Sequence, residues 1–216
     1  CFAQFKYEGL SPDPVMFACI LKACGSIQDV SKGQDTHNEI DRIGLLQSNH
    51  FIGGALVDMY VKCGFIRKAR EVFDTLPIRT LFALTALISG YAQCEDCDQV
   101  MKLFYEMHSY GIEPNSTTFI SILKVCSSVL ASLEGKLIHL YVMENSIEGD
   151  MHIASALIDM YSKSGAIEDA YILFSKSSVK DVVTWSALIG GYVQHGYASF
   201  AIELFETMQE SSVRPD

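Results

Sequence analysis

Two short stretches carry the residue types from which a zinc enzyme is built. Cys94-Glu95-Asp96-Cys97 presents two thiols at Cys-x-x-Cys spacing, and His37-Asn38-Glu39 places a carboxylate two residues after an imidazole. Together they satisfy the bare pattern of a zinc deaminase, in which metal-activated water attacks cytosine and the glutamate moves protons. A Cys-x-x-Cys pair can also serve as a redox couple. The proline that precedes the cysteine pair in the deaminase pattern is missing, and Gln93 stands in its place. Whether the pattern means chemistry depends on the elements that would hold it.

Those elements repeat. ALVDMYVKCG (55–64) recurs as ALIDMYSKSG (156–165), and ALISGYAQ (86–93) as ALIGGYVQ (187–194), both at an offset of 101 residues. Between 50–115 and 151–216 there are 21 identities in 66 positions. Upstream, FACILKACGS (17–26) matches FISILKVCSS (119–128) at an offset of 102, the extra residue falling near Leu45-Leu46. Such duplication marks a repeat architecture. Each block of about a hundred residues divides into three, giving units 14–49, 50–80, 81–115, 116–150, 151–181 and 182–216. Residues 1–13 match 103–115 and read as the second half of a preceding unit.

The repeat explains both chemical stretches without catalysis. His37 corresponds to His139, so it belongs to the repeated text, and Cys94 and Cys97 correspond to His195 and Ala198 across an interhelical turn. We therefore assign no catalytic residue, no metal ligand and no cofactor.

Every unit carries two helical stripes. In the last, Trp185, Leu188, Ile189 and Tyr192 fall at i, i+3, i+4, i+7, and Ala201, Leu204, Phe205 and Met208 repeat that spacing. Gly64, Gly165 and Gly196 mark turns between stripes, and all five prolines lie at or next to unit ends. A two-helix unit of this length cannot bury its own apolar face, so neighbours must stack, which predicts an all-α fold, an α-solenoid of helix-turn-helix repeats.

Composition fits that expectation. Of 216 residues, 49% are hydrophobic and 19% charged, enough to build a sizeable core. The odd count of seven cysteines, mostly within apolar helical patterns, points to a reducing compartment. No run reaches eighteen apolar residues and no leader pattern opens the chain, so neither a membrane span nor a targeting peptide is expected. The start at Cys1, inside a helical pattern, suggests a piece of a longer protein.

The alternation of 35- or 36-, 31- and 35-residue units, with ALIDMYSKSG in the short unit and VTWSALIGGYVQHG followed by RPD in the 35-residue one, resembles the PLS class of plant pentatricopeptide repeat proteins. By that resemblance 14–49 and 116–150 are L motifs, 50–80 and 151–181 S motifs, 81–115 and 182–216 P motifs, and 1–13 the second half of a P motif. The resemblance implies a right-handed superhelix in a mitochondrion or chloroplast that binds single-stranded RNA, one base per repeat. It would be the target-recognition part of a C-to-U RNA editing or RNA-processing factor. No small-molecule substrate is implied; multiple organellar RNA editing factors would be partners at the L motifs.

In that family the fifth and last residues of a motif select the base and the second packs on base faces. Carried over, the selecting pairs are Thr85 with Asn115, Ser155 with Asp181, Ser186 with Asp216, Gly54 with Thr80, Ala18 with Asn49, and Ile120 with Asp150. The family's rules associate Thr/Asn with adenine and Ser/Asp with guanine; Gly54 with Thr80 is weakly selective, and L motifs follow the rules poorly. The stacking residues would be Phe51, Phe82, His152 and Val183, and Lys62 and Lys163 would contact phosphate. With RNA running 5′ to 3′ along the chain, the expected preference from 14–49 onward is N-N-A-N-G-G.

The formal net charge of −10 opposes a nucleic-acid partner. It is unevenly spread: the first stripes of the six units net +2 through Lys22, Lys62, Lys124 and Lys163 against Asp58 and Asp159, leaving −12 on the remainder. The alternative is a protein-binding scaffold without base readout.

Overall fold

In the computed structural model the residues described are 13–147, 149–177 and 180–211, and every regular element among them is an α-helix. In chain order these are α1 (Pro14–Ile27), α2 (Val30–Arg42), the short α3 (Leu45–Ser48), α4 (His50–Lys62), α5 (Ile66–Thr75), α6 (Leu81–Gln93), α7 (Cys97–Ser109), α8 (Ser116–Ser128), α9 (Ser132–Glu144), α10 (Met151–Lys163), α11 (Ile167–Lys176), α12 (Val182–Gln194) and α13 (Ala198–Glu210). The fold is an α-solenoid of helical hairpins. The additional residue near Leu45-Leu46 is absorbed in α3, a single turn set between α2 and α4.

The chain forms two compact units, one comprising residues up to Tyr91 with Leu103–Glu113, the other Ala92–Lys102 with Pro114 onward. In the first, α1 packs side by side with α4, and each is backed by its hairpin partner, α2 or α5. Its core is built from Phe17, Leu21, Ile52, Leu56, Tyr60 and Phe73, each essentially solvent-free. In the second, α8, α10 and α12 stack in a row with α9, α11 and α13 behind them. There the interior holds Phe119, Ile122, Ile153, Leu157, Leu188 and Trp185, whose ring meets Phe174 edge-on with centroids 4.6 Å apart.

The turns follow the sequence closely. Gly64 and Gly165 end α4 and α10 at φ +81° and +82°, in the left-handed region where a side chain is strained. At the corresponding turn between α6 and α7 it is Glu95 that takes φ 57°.

The recurring histidine also has a packing role in each unit. His37 Nδ1 hydrogen-bonds the Tyr60 hydroxyl at 2.9 Å, and His139 Nδ1 bonds that of Tyr161 at 2.9 Å. Burial lowers the pKa of His37 and raises those of Tyr60 and Tyr161, so these side chains stay neutral near pH 7.

Candidate nucleic-acid interface

The residues at the unit ends, expected to select bases, sit immediately before the first helices and cap them. Asn49 accepts from the Phe51 amide at 3.0 Å, Thr80 Oγ1 from Ala83 at 3.3 Å, and Asn115 from Thr118 at 2.9 Å. Asp150 accepts from His152 at 2.8 Å and Ile153 at 3.3 Å, and Asp181 from Thr184 at 2.8 Å. Asp13 does the same for α1. Capping explains why only Asn, Asp and Thr occur there: each satisfies an orphan amide of the helix that follows. That role was visible in the sequence as a capping residue directly before each apolar run, and reading those positions for base contact alone missed it.

Capping leaves different atoms free. The Asp181 Oδ1 accepts from both the amide and the hydroxyl of Thr184, the latter at 2.7 Å, while no described residue bonds its Oδ2. The hydrogen bond from the Thr184 hydroxyl, then that from its amide, holds the Asp181 carboxyl below the usual carboxylate range. Asp216, the partner expected for Ser186, lies outside the described residues.

The second compact unit brings most of its expected contact residues into one groove of about 770 Å³, walled entirely from α8, α10, α12 and the cap between α11 and α12. Its lining includes Ile120, His152, Ser155, Asp181, Val183 and Ser186. Of the second-position residues, Val183 stands 63% exposed and His152 is also exposed. Ser155 is half-buried and its hydroxyl donates to the Met151 carbonyl at 2.8 Å, which spends its proton and leaves it an acceptor.

In the first unit Phe51 and Phe82 are 58% and 50% exposed, large aromatic faces on otherwise apolar helices. Phe82 lies over Gly54: a Cβ there would come within 2.8 Å of the ring, and Thr80 Oγ1 is 3.6 Å away. The Phe82 edge thus fills the space a fifth-position side chain would use. Ala18 is half-buried, whereas Thr85 is only 9% exposed, more enclosed than a base-reading hydroxyl would be expected to be.

The two lysines expected at phosphate are already engaged. Lys62 Nζ lies 2.7 Å from Asp58 and Lys163 Nζ 2.9 Å from Asp159, each one helical turn back. Asp159 also accepts from Ser127 at 2.7 Å. With Lys124 on the same wall, the charged residues of the groove, Lys124, Lys163, Asp159 and Asp181, balance in a chain that is strongly acidic overall.

The cysteine motif divides. Cys94 is exposed at the end of α6, whereas Cys97 is part-buried beside Cys126, and burial raises both of those thiol pKa values. Among the described residues no three His, Cys, Asp or Glu side chains gather as metal ligands, and no helix is long and apolar enough to cross a membrane.

Stacked hairpins with a polar groove along their first helices define a helical repeat protein of the solenoid kind. Residues 79–128 and 180–216 match the PPR repeat family, and 54–77 and 153–181 match the PPR repeat. These matches cover more than half of the chain, which belongs to the pentatricopeptide repeat family. A pentatricopeptide repeat-containing protein of Arabidopsis thaliana is 39% identical over 215 residues, covering 100% of this chain and 36% of its own length. A chloroplastic one from that plant is 33% identical over 208 residues (96% and 24% of the two chains), and a mitochondrial one 34% identical over 237 residues (100% and 26%). The chain thus spans about a third or less of the length of these relatives. The crystal structure of the pentatricopeptide repeat protein PPR10 from maize superposes with a TM-score of 0.81 at 18% identity, over 100% of this chain and 31% of that one. PPR10 in complex with an 18-nt psaJ RNA element superposes with a TM-score of 0.75 at 18% identity, over 99% and 32%.

Proposed function

We propose that the chain binds single-stranded RNA sequence-specifically, one base per unit, as the target-recognition part of an organellar editing or processing factor of the PLS class. The observation that carries this is the groove of the second compact unit, where Ser155, Asp181 and Ser186 meet beside His152 and Val183. Bases stack between exposed second-position side chains, and the fifth and last residues meet their edges. At the fifth site, the open Oδ2 of Asp181 accepts from the ring and amino N–H groups of guanine. At the third site the family's rules give adenine, and the donor there is the amide nitrogen of Asn115, whose Oδ1 caps α8, while the enclosed Thr85 hydroxyl adds little. The units 14–49 and 50–80 contribute backbone and stacking contacts with little selection. Relatives named chloroplastic and mitochondrial support an organellar location. In vitro selection from a randomised RNA pool tests the proposal: enrichment of A followed two bases later by GG supports it, and an unenriched pool sinks it.

A second, compatible role is protein binding on the opposite side of the hairpins. A groove of about 650 Å³ between α9, α10 and α11 is lined by Leu140, Met143, Met151, Ile172 and Leu173. The sister positions of Met143 and Ile172 are Asp41 and Glu71, which line a polar groove in the first unit. Exposed apolar residues on an L-motif helix fit a docked editing factor, in line with the family resemblance. Leu140→Asp with Met143→Asp is expected to abolish capture of such a factor and leave RNA affinity unchanged; loss of both would refute separate faces.

A further inference from the structure

Two aspartates hold the same place at unit ends, and their surroundings differ. Asp181 commits one carboxylate oxygen to Thr184 and lines the groove. Asp150 commits both. Its Oδ1 accepts from the amides of His152 and Ile153, and its Oδ2 accepts from the Ser116 hydroxyl at 2.6 Å, the length of a strong charge-assisted bond. Three of about four acceptor positions on the carboxylate are filled. Consistently, the groove wall includes Ile120 but not Asp150. The bond from Ser116 is also the largest influence holding the Asp150 carboxyl below the usual carboxylate range.

Ser116 is the first residue of the unit that Asp150 ends. The other five units open with Pro14, His50, Leu81, Met151 and Val182, so Ser116 alone brings a hydroxyl to that position. Met151, which opens the unit that Asp181 ends, has no donor in its side chain, and neither has Val182.

We propose that Ser116 withdraws Asp150 from base reading, so that the 116–150 unit passes any base while the next unit selects. Ser116 is thereby a specificity-determining residue that acts through Asp150, a positioning role. This rests on the chain being an RNA-binding array. A freed carboxylate accepts from guanine N1–H or uracil N3–H and repels the lone pairs of adenine N1 and cytosine N3. Removing the hydroxyl should therefore create selection, a gain that simple structural damage would not produce.

The test uses the 216-residue chain and four RNAs differing only at the fourth site of N-N-A-N-G-G, with a parallel series varied at the fifth site. The unaltered protein is expected to bind all four fourth-site RNAs within about twofold. Ser116→Ala is expected to favour guanine and uracil over adenine and cytosine about tenfold or more, the scale of one charge-assisted hydrogen bond. Ser116→Thr keeps the hydroxyl and should stay flat, and Asp150→Asn in the Ser116→Ala background should lose the new preference. Overturning results are a flat Ser116→Ala profile while guanine is still distinguished at the fifth site, or a uniform loss for all four RNAs with a lowered Tm. If the unaltered protein binds none of these RNAs, the array function itself fails, and that outcome is distinct from a flat Ser116→Ala profile.

Discussion

Asp181→Asn separates two roles that one carboxylate holds. Its Oδ1 caps α12 through the Thr184 amide and hydroxyl at 2.8 and 2.7 Å, and asparagine, as effective an N-cap as aspartate, preserves that arrangement. The fold loses a negative charge at a helix N-terminus, about 0.3–1 kcal/mol, which for a chain of this size lowers Tm by roughly 1–4 °C. In the groove the change is larger in kind, because an acceptor becomes a donor. A hydrogen bond to a charged group is worth about 1.5–3 kcal/mol, so affinity for guanine at the fifth site should fall roughly 10- to 150-fold while that for adenine rises. Fluorescence anisotropy with RNAs differing only at that base, beside thermal melts, measures both effects. Retained guanine preference with an unchanged Tm would refute the assignment of Oδ2 to the base. A rise in affinity for every base equally, the effect of removing a negative charge beside a polyanion, would mean that the carboxylate acts through charge alone. The folded pKa of Asp181 is depressed, so its stabilising contribution is complete above the unfolded value near 3.9 and is lost as pH falls through the lower folded value. The Tm difference between the two proteins should therefore persist from neutral pH to about pH 5 and close in more acid solution.

Gly191→Ala should destabilise the second unit, because its Cβ would lie 2.6 Å from Ser162 Cβ and 3.1 Å from Ser162 Cα, a backbone that cannot rotate away. A cost of about 1–3 kcal/mol corresponds to a Tm drop of roughly 2–10 °C in a thermal melt. Lys163→Ala should change stability by less than about 0.5 kcal/mol, since its pair with Asp159 is exposed; if Lys163 also meets phosphate, the slope of log affinity against log salt should shrink by about 0.7. Among the described cysteines, thiol alkylation followed by peptide mapping should label Cys19 and Cys94 first, and Cys126, buried and with its thiol pKa raised, only after unfolding.

Much of the architecture was legible because the chain contains its own comparison. The duplicated text made His37 and Cys94 readable as repeat positions, and the apolar spacing located the helices. The ion pairs of Lys62 and Lys163 were also there to be read: Asp58 and Asp159 stand four residues earlier, the spacing at which helical neighbours meet. The enclosure of Thr85 depends on how neighbouring helices pack, which no local spacing encodes. The bond between Ser116 and Asp150 joins residues 34 positions apart, brought together by the return path of one hairpin. Exposed Leu133, Leu137 and Leu140 follow the same spacing as a core stripe, so periodicity alone could not tell a buried face from an open one.

The central claim is tested most directly by equilibrium binding of the chain to N-N-A-N-G-G RNA and to versions with the three purines replaced by cytosine, each at two salt concentrations. Base readout in the groove predicts tighter binding to the first RNA at both salts, with affinity for all of them falling as salt rises. Equal affinity for every version, or no binding to any, would contradict it.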